Sequence, residues 1–505
     1  MYSRGGVMSD VCLILEGTYP YVTGGVSTCV YQLIKNTPFI NYSILYIGAT
    51  SHENDEYRYP IPDNVKLIKE VELFDYKVDD ELPNKNIELD LELLLKFHNA
   101  PRERKAELFG AVYNEVIKPL DDSFNPFDIL KSKQAWNMLS NYYKNKFKDQ
   151  EAPSFIDYFY TWRFTHYPIF KILTTELPKA KLYHALSTGY AGLLGAVAKV
   201  QGNNAFMLTE HGIYSHEREI EIYQADWIFN AETDLQAKSN ISTFKEWWIK
   251  MFHFMGQVAY QQADLITTLY EGNKEKQIRY GAEADKIKII PNGIDYESFS
   301  SITKKSKKEN EVHIALVGRV VPIKDIKTFI KAASGLRRLL DDHINLKVSI
   351  LGPYDEDPEY YEECKKLVSF LNLENVIEFT GKVNVKEYYG VIDTLVLSSI
   401  SEGQPMVILE AFAAAVPCVS TDVGSCSELI YGMSDEDRAL GAAGEVVPFG
   451  KPDLLAQALF NVVSSPDDLM KMGKVAQIRA KKYYREDITV KNYLRSYNKL
   501  LGSTD

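Results

Sequence analysis

Short apolar runs alternate with helical stretches through the second half of this chain, and that alternation limits its possible folds more than any other feature. Val312–Val317, Lys347–Leu351, Val376–Phe379, Thr394–Leu397 and Pro417–Ser420 are short and rich in Val, Ile and Leu, as strands buried on both faces are. After the first of them, Phe329, Ala332, Ala333, Leu336, Leu339 and Leu340 fall on one face of a helix, predicting a helix from about Thr328 to Leu340. Strand and helix in turn require a parallel, doubly wound sheet. The first half repeats the theme, with strands expected near Val11–Leu15, Ser43–Ile47, Lys66–Ile68, Leu182–Ala185, Ala205–Leu208 and Leu265–Thr268, and a helix at Ala191–Gln201. A Leu-, Lys- and Glu-rich stretch at about 74–147 interrupts it as a helical insertion, and Pro291-Asn292-Gly293-Ile294-Asp295 is a turn cluster between the halves. A chain of 505 residues is long enough for two cores.

In such sheets ligands bind at the carboxyl ends of the strands, and three stretches place chemistry there. After Thr394–Leu397 comes Ser399-Ile400-Ser401-Glu402-Gly403-Gln404-Pro405-Met406-Val407-Ile408-Leu409-Glu410. Glu402 falls on a strand-to-helix loop, and Glu410 lies in the first turns of a helix that Pro405 opens. The helix N-terminus offers amides to a phosphate; Glu410 is placed to take ribose hydroxyls, and Glu402 to face whatever the phosphate carries. After Val312–Val317 comes Gly318-Arg319-Val320-Val321-Pro322-Ile323-Lys324, a planar fork and a point charge suited to a diphosphate. After Val11–Leu15 comes Glu16-Gly17-Thr18-Tyr19-Pro20 and then Gly24-Gly25, opening a helix from about Val26 to Lys35. Paired glycines let a backbone approach a pyrophosphate. Each stretch alone is an ordinary loop; together they define one site. Neither a dinucleotide fingerprint nor a P-loop is present at the glycines.

In this order, the glycine-rich loop, Gly318-Arg319-x4-Lys324 and Glu402-x7-Glu410 resemble the family-4 retaining glycosyltransferases with the GT-B fold. The segment Leu208-Thr209-Glu210-His211-Gly212-Ile213-Tyr214-Ser215-His216-Glu217-Arg218-Glu219 is similar to the PelF branch, which serves bacterial Pel exopolysaccharide synthesis. The resemblance runs from about Val11 to Lys499. It implies an α/β GT-B fold with two Rossmann-like domains facing across a cleft: residues 1–295 on the acceptor side, 296–480 binding the nucleotide sugar, and 481–505 a helix crossing back. It implies transfer of a hexose from UDP-glucose or a UDP-N-acetylhexosamine to a growing polysaccharide, without a cofactor or metal. By the same resemblance Arg319, Lys324, Glu402 and His211 are catalytic, and Gly24, Gly25, Gly318, Val383, Gly403, Gln404, Pro405, Met406, Val407 and Glu410 hold the donor. The base would rest on the Gly381-Lys382-Val383 backbone. Asp325 stands where the family commonly has glycine after the lysine. A glycogen- or starch-synthase-like enzyme is the first rival; it carries Lys before x-Gly-Gly, whereas Val22-Thr23 precede the glycines here. A non-catalytic nucleotide-sensing subunit is the second.

Composition fits that expectation. The 57 basic and 69 acidic side chains leave a charge of −12, which disfavours nucleic acid and anionic lipid as partners. Cys12, Cys29, Cys364, Cys418 and Cys426 are scattered and odd in number, as reduced cytosolic thiols are. No apolar run is long enough to span a bilayer, so a cytoplasmic protein recruited by membrane Pel synthase components is expected. Met8-Ser9-Asp10 reads as an alternative start behind a loosely ordered extension. Asp355-Glu356-Asp357 reads as a polar turn away from the motif-bearing loops, His216-Glu217-Arg218 as either acceptor-facing or an ion-paired turn, Lys/Ser-rich Thr303–Asn310 as a solvated segment, and Trp247, Trp248 and Phe252 as core or as a docking face.

Overall fold

A computed structural model describes residues 2–3, 8–50, 56–74, 90–118, 132–148, 154–224, 243–305 and 310–502. Parts of the expected insertion and of the Thr303–Asn310 segment lie outside the described residues. The chain divides into two compact units. Unit 1 holds Met1–Thr268, Lys274–Lys288 and Tyr493–Asp505; unit 2 holds Leu269–Asn273 and Ile289–Asn492.

The sheet of unit 1 comprises β1 (Tyr2–Ser3), β2 (Ser9–Glu16), β3 (Tyr42–Gly48), β4 (Val65–Glu72), β5 (Ala180–Ala185), β6 (Ala205–Glu210), β7 (Leu265–Thr268) and β8 (Ile287–Ile289), in the order β1-β4-β3-β2-β5-β6-β7-β8. From β4 to β7 every pairing is parallel. Tyr2–Ser3, expected to precede the fold, instead pairs antiparallel with β4. The chain winds outward from β2 in both directions, so the topological switch point lies between β2 and β5. Between β4 and β5 run the helices Leu91–Glu103, Lys133–Lys146 and Phe155–Leu173. Trp247, Trp248 and Phe252, on the helix Thr243–Gln262, are buried in the same core: they pack and do not dock.

Unit 2 holds β9 (Glu311–Val317), β10 (Asn345–Leu351), β11 (Ile377–Gly381), β12 (Thr394–Leu397), β13 (Cys418–Thr421) and β14 (Gly444–Val447), ordered β11-β10-β9-β12-β13-β14 and parallel throughout. Side chains of a strand point alternately to opposite faces, and both faces here carry a core. Ile314, Leu316, Val396 and Val419 pack on one side, Ala315, Leu395, Leu397 and Cys418 on the other. That is why these strands are apolar without alternation. The switch point lies between β9 and β12. Of the five cysteines, Cys12, Cys364, Cys418 and Cys426 are buried, and none forms a disulfide.

Behind β13 the helix Cys426–Tyr431 is pinned by Arg479 of the helix Pro466–Tyr483. Its guanidinium donates to Asp437 Oδ1 at 2.7 Å, to the carbonyls of Leu429 and Ile430 at 3.2 and 2.6 Å, and to those of Asp437 and Gly441 at 3.0 and 2.8 Å. Both partners are wholly buried. A charge pair enclosed this way holds only while complete, because either ion alone faces the full cost of desolvation. Asp437→Ala is therefore expected to lower stability by about 3–5 kcal/mol, read as a lower urea midpoint; a change within experimental error would refute this account of the pair.

Candidate active site

The loops that follow β9 and β12 meet across the switch point of unit 2. Lys324 Nζ lies 2.6 Å from Glu402 Oε1, and Ser399 Oγ donates to the same oxygen at 2.6 Å. Ser398 Oγ donates to the Lys324 carbonyl at 2.8 Å and the Ile400 amide to that of Ile323 at 2.8 Å. The lysine and glutamate side chains are 21% and 13% exposed, so the pair works in an environment poorer in water than a surface ion pair. Glu402 takes one ammonium proton; an ammonium group carries three, so it can serve a second anion as well.

Position 325 explains how the loop manages without glycine. Asp325 adopts φ 44° and ψ 52°, the left-handed region, which Asp and Asn tolerate better than other side-chain-bearing residues. Its carboxylate accepts from the Thr328 amide at 3.2 Å, capping the helix Ile326–Leu339. One residue thus turns the chain and starts the helix.

The helix Met406–Ala413 begins at Pro405, and no side chain caps it, so its first amides are left to other partners. Glu410 sits one turn in and accepts from the Tyr389 hydroxyl at 3.2 Å. Burial raises its pKa to about 7, against the hydrogen bond from Tyr389. The Gly403 carbonyl accepts from the Ser425 amide at 2.9 Å. Gly424, at φ +57°, approaches so closely that a Cβ would stand 2.2 Å from the Gly403 oxygen; the loop after β13 therefore buttresses the β12 loop through a position only glycine fills. Gln404 is buried, and its Oε1 accepts from the Asn292 amide at 2.6 Å, which ties the Pro291–Asp295 turn to this loop. Met406, Val407 and Val383 pack partly buried against the core beneath.

Arg319 corrects one expectation. The Asp355-Glu356-Asp357 loop is not apart from the motif-bearing loops: Arg319 Nη1 donates to both Glu356 oxygens, at 2.5 and 2.8 Å. Adjacency of β9 and β10 is the reason. The Gly318 amide donates to the Leu351 carbonyl at 2.9 Å, and Gly352, at φ +152°, comes so near that a Cβ would lie 2.1 Å from the Gly318 oxygen. Asp357 meanwhile caps the helix Pro358–Phe370, accepting from the Tyr360 amide at 3.0 Å. Arg319 and Glu356 are 53% and 51% exposed; pairs so open are worth about 0–1 kcal/mol, so the guanidinium is readily recruited by another anion.

The remaining candidates lie in unit 1. Gly24 and Gly25 are exposed at the start of the helix Gly25–Lys35, which has no side-chain cap. Gly24 is extended at φ 167°, and a Cβ on either glycine would meet open space, so neither backbone conformation nor packing demands glycine. His211 follows β6 directly, and burial lowers its pKa to about 4, leaving a neutral imidazole near pH 7. His216 and Arg218 lie on the helix Tyr214–Gln224, where Arg218 pairs with Glu221 at 2.8 Å. Two carboxylates without an assigned role in the sequence reading complete this edge. Glu16 ends β2 at the switch point and accepts from the Tyr214 hydroxyl at 2.5 Å and the Ala191 amide at 3.3 Å; burial raises its pKa. Glu210 ends β6, accepting from Thr188, Tyr260 and Gln277 at 2.8, 2.5 and 3.0 Å. A glutamate closing an apolar strand was the available signal. The structure thus brings Gly318, Arg319, Lys324, Glu402, Gly403, Gln404, Pro405 and Glu410 together within unit 2, and places Gly24, Gly25 and His211 in unit 1.

Residues 9–285 match the family model described as domain of unknown function (DUF3492). The chain belongs to that family. Residues 298–479 match glycosyl transferases group 1, so unit 2 carries a domain of that group. A D-inositol 3-phosphate glycosyltransferase of Pseudarthrobacter chlorophenolicus is 30% identical over 227 residues, 43% of this chain and 51% of the relative. The chain spans about half the length of the curated relatives it matches first. Among solved structures, Anabaena Alr3699/HepE in complex with UDP aligns at a TM-score of 0.58 and 12% identity, covering 97% of this chain and 100% of that one. Sucrose-phosphate synthase from Thermosynechococcus elongatus aligns at 0.58 and 15%, covering 98% and 100%. At such identities the likeness is one of fold, and the fold is GT-B: two α/β units, each built on a parallel sheet.

Two tests follow from the geometry. Asp325→Ala keeps a Cβ in the left-handed region and loses the cap, which together cost about 1–3 kcal/mol, whereas Asp325→Gly loses the cap but relaxes the backbone, for a net change of only a few tenths. Thermal melts distinguish the two. Glu410 has a folded pKa raised above its unfolded value, so its contribution to stability is full below about pH 4.5 and is lost as pH rises to about 7. Glu410→Gln is therefore expected to match the parent near pH 4 and to exceed it by ~3 kcal/mol above pH 7; parallel stability curves would contradict that assignment.

Proposed function

We propose that this chain is a retaining glycosyltransferase of family 4 that moves a hexose from UDP-glucose or a UDP-N-acetylhexosamine to a growing exopolysaccharide of the Pel type. One observation carries the reading: a lysine held across the β9/β12 switch point by Glu402, at the same sheet edge as an arginine in a weak ion pair and a helix N-terminus with no side-chain cap. That is a seat for a diphosphate. As the bond from sugar to UDP breaks, charge grows on the phosphate oxygens; Lys324 and the amides of Met406 and Val407 meet it in place, and Arg319 joins them by exchanging Glu356 for the phosphate, together filling the role a divalent cation plays elsewhere. No metal or other cofactor enters the proposal. Glu410 takes the ribose hydroxyls, Val383 lies along the base and Glu402 orients the sugar; Gly24, Gly25 and His211 are kept as donor residues on the family resemblance alone. The leaving phosphate accepts the acceptor proton, so no protein base is assigned. The UDP bound to HepE and the His-Gly-Ile-Tyr segment of the PelF branch support donor and pathway respectively. Among the described residues no helix is long and apolar enough to cross a membrane. On the proposed reading the chain works in the cytoplasm, brought to the membrane by synthase components.

The experiment is turnover of UDP-glucose and UDP-N-acetylglucosamine by the purified chain, with and without EDTA. Activity is expected to survive chelation. Lys324→Ala and Arg319→Ala are each expected to slow it by about 10²–10³, roughly 2.7–4 kcal/mol, with little change in the melt of the exposed Arg319 variant. Near-normal rates in both variants would sink the phosphate assignment.

A further inference from the structure

Six tyrosines gather at the carboxyl edge of the unit 1 sheet: Tyr19 and Tyr21 from the loop after β2, Tyr31 from the helix Gly25–Lys35, Tyr46 from β3, and Tyr57 and Tyr59 from the loop after β3. They form two linked sets. Tyr19, Tyr31 and Tyr59 make a triangle with ring centroids 6.4, 5.5 and 5.7 Å apart. Tyr21 meets Tyr46 at 4.9 Å and Tyr57 at 5.3 Å. The Arg58 amide donates to the Pro20 carbonyl at 2.9 Å, which fastens one loop to the other. Tyr19, Tyr21 and Tyr46 are buried and form a floor. Above it Tyr31 and Tyr59 are half-buried, and Tyr57 stays 43% exposed. Core packing explains the floor but not the tier left in water.

We infer that this tier is a binding surface for a neutral oligosaccharide, the acceptor of the reaction proposed above, on which the inference rests. A pyranose presents a face of C–H bonds, polarised positive, and a rim of hydroxyls. The negative face of an aromatic ring suits the first, and phenol hydroxyls suit the second. Tyr59 Oη already accepts from the Gly24 amide at 3.4 Å and lies 3.2 Å from Thr28 Oγ1, which links the ring set to the exposed glycine turn. Tyrosine gives large contact area at little cost in side-chain entropy. Glu56 and Arg58, the exposed charges flanking Tyr57, are opposite in sign, and so are the charges on the ring set itself, Lys35 with its Nζ 5.9 Å from the Tyr31 centroid and Glu70 accepting from the Tyr21 hydroxyl. This balance befits a neutral ligand, whereas a nucleotide or acidic polymer calls for a cationic surround. The location agrees as well, since the carboxyl edge is where such sheets receive ligands.

The test uses the full chain with cellohexaose, chitohexaose and maltohexaose as probes, followed by calorimetry and saturation-transfer NMR. At least one hexasaccharide is expected to bind, more tightly than its disaccharide. Tyr57→Ala should weaken it about 3- to 10-fold, the range of one aromatic contact, while Tyr57→Phe keeps most of the affinity and both variants bind UDP as the parent does. Failure of all three probes to bind the parent overturns the inference, as does parent-like binding by Tyr57→Ala. So does a change of oligomeric state in Tyr57→Ala with glycan binding intact, since the surface would then join copies of the chain. Loss of UDP binding alone, with glycans still bound, would count against the donor reading and leave this surface standing.

Discussion

The contact between Lys324 and Glu402 is the one on which the architecture of unit 2 turns. A doubly wound sheet parts its connections on either side of one strand pair, and the opening left there has no backbone ladder to close it. Here the opening is bridged by opposite charges at 2.6 Å, with Ser398, Ser399 and Ile400 adding hydrogen bonds around them. Neither charge is comfortable alone in such a place, because partial burial weakens its hydration. Each therefore fixes the other, and the β9 and β12 loops take their course from that agreement.

Around this pair the cations are held with unequal firmness. Lys324 is enclosed and its partner is locked by Ser399; Arg319 stands in water with Glu356, where screening leaves little net attraction. One charge is thus a fixture and the other a movable arm. The glycines at 318, 352 and 424 set the spacing: at the last two a side chain would collide with the neighbouring backbone, so the loops at the sheet edge lie closer than bulkier residues allow. Buried Arg479 acts one layer farther back, holding the helix that follows the Gly424 turn.

Much of this was legible in the sequence because the relevant signals are local. Apolar runs marked β9, β10, β12 and β13 to within a few residues, since strands covered on both faces leave an uninterrupted apolar record. β14 escaped because Gly444-Glu445-Val446-Val447 is short and carries a charge on an edge strand. That Lys324 and Glu402 serve one sheet edge followed from both lying at strand carboxyl ends; that they touch did not, since it depends on β12 lying beside β9. Nor did the contact of Arg319 with Glu356, because strand order, which places β10 beside β9, is not written in any single segment. Glu16 and Glu210 were passed over for a similar reason: what distinguishes them is the burial and the tyrosine partners supplied by residues far along the chain.

At position 325 the loop makes a physical demand and not a demand for one residue type. A pattern written as letters, with glycine required after the lysine, passes over this chain. What the loop demands is a backbone turned to the left followed by a helix start, and glycine meets the first demand while aspartate meets both. Written as a torsion angle and an acceptor instead of a letter, the motif admits Gly, Asn and Asp alike, and its reach among distant sequences widens accordingly.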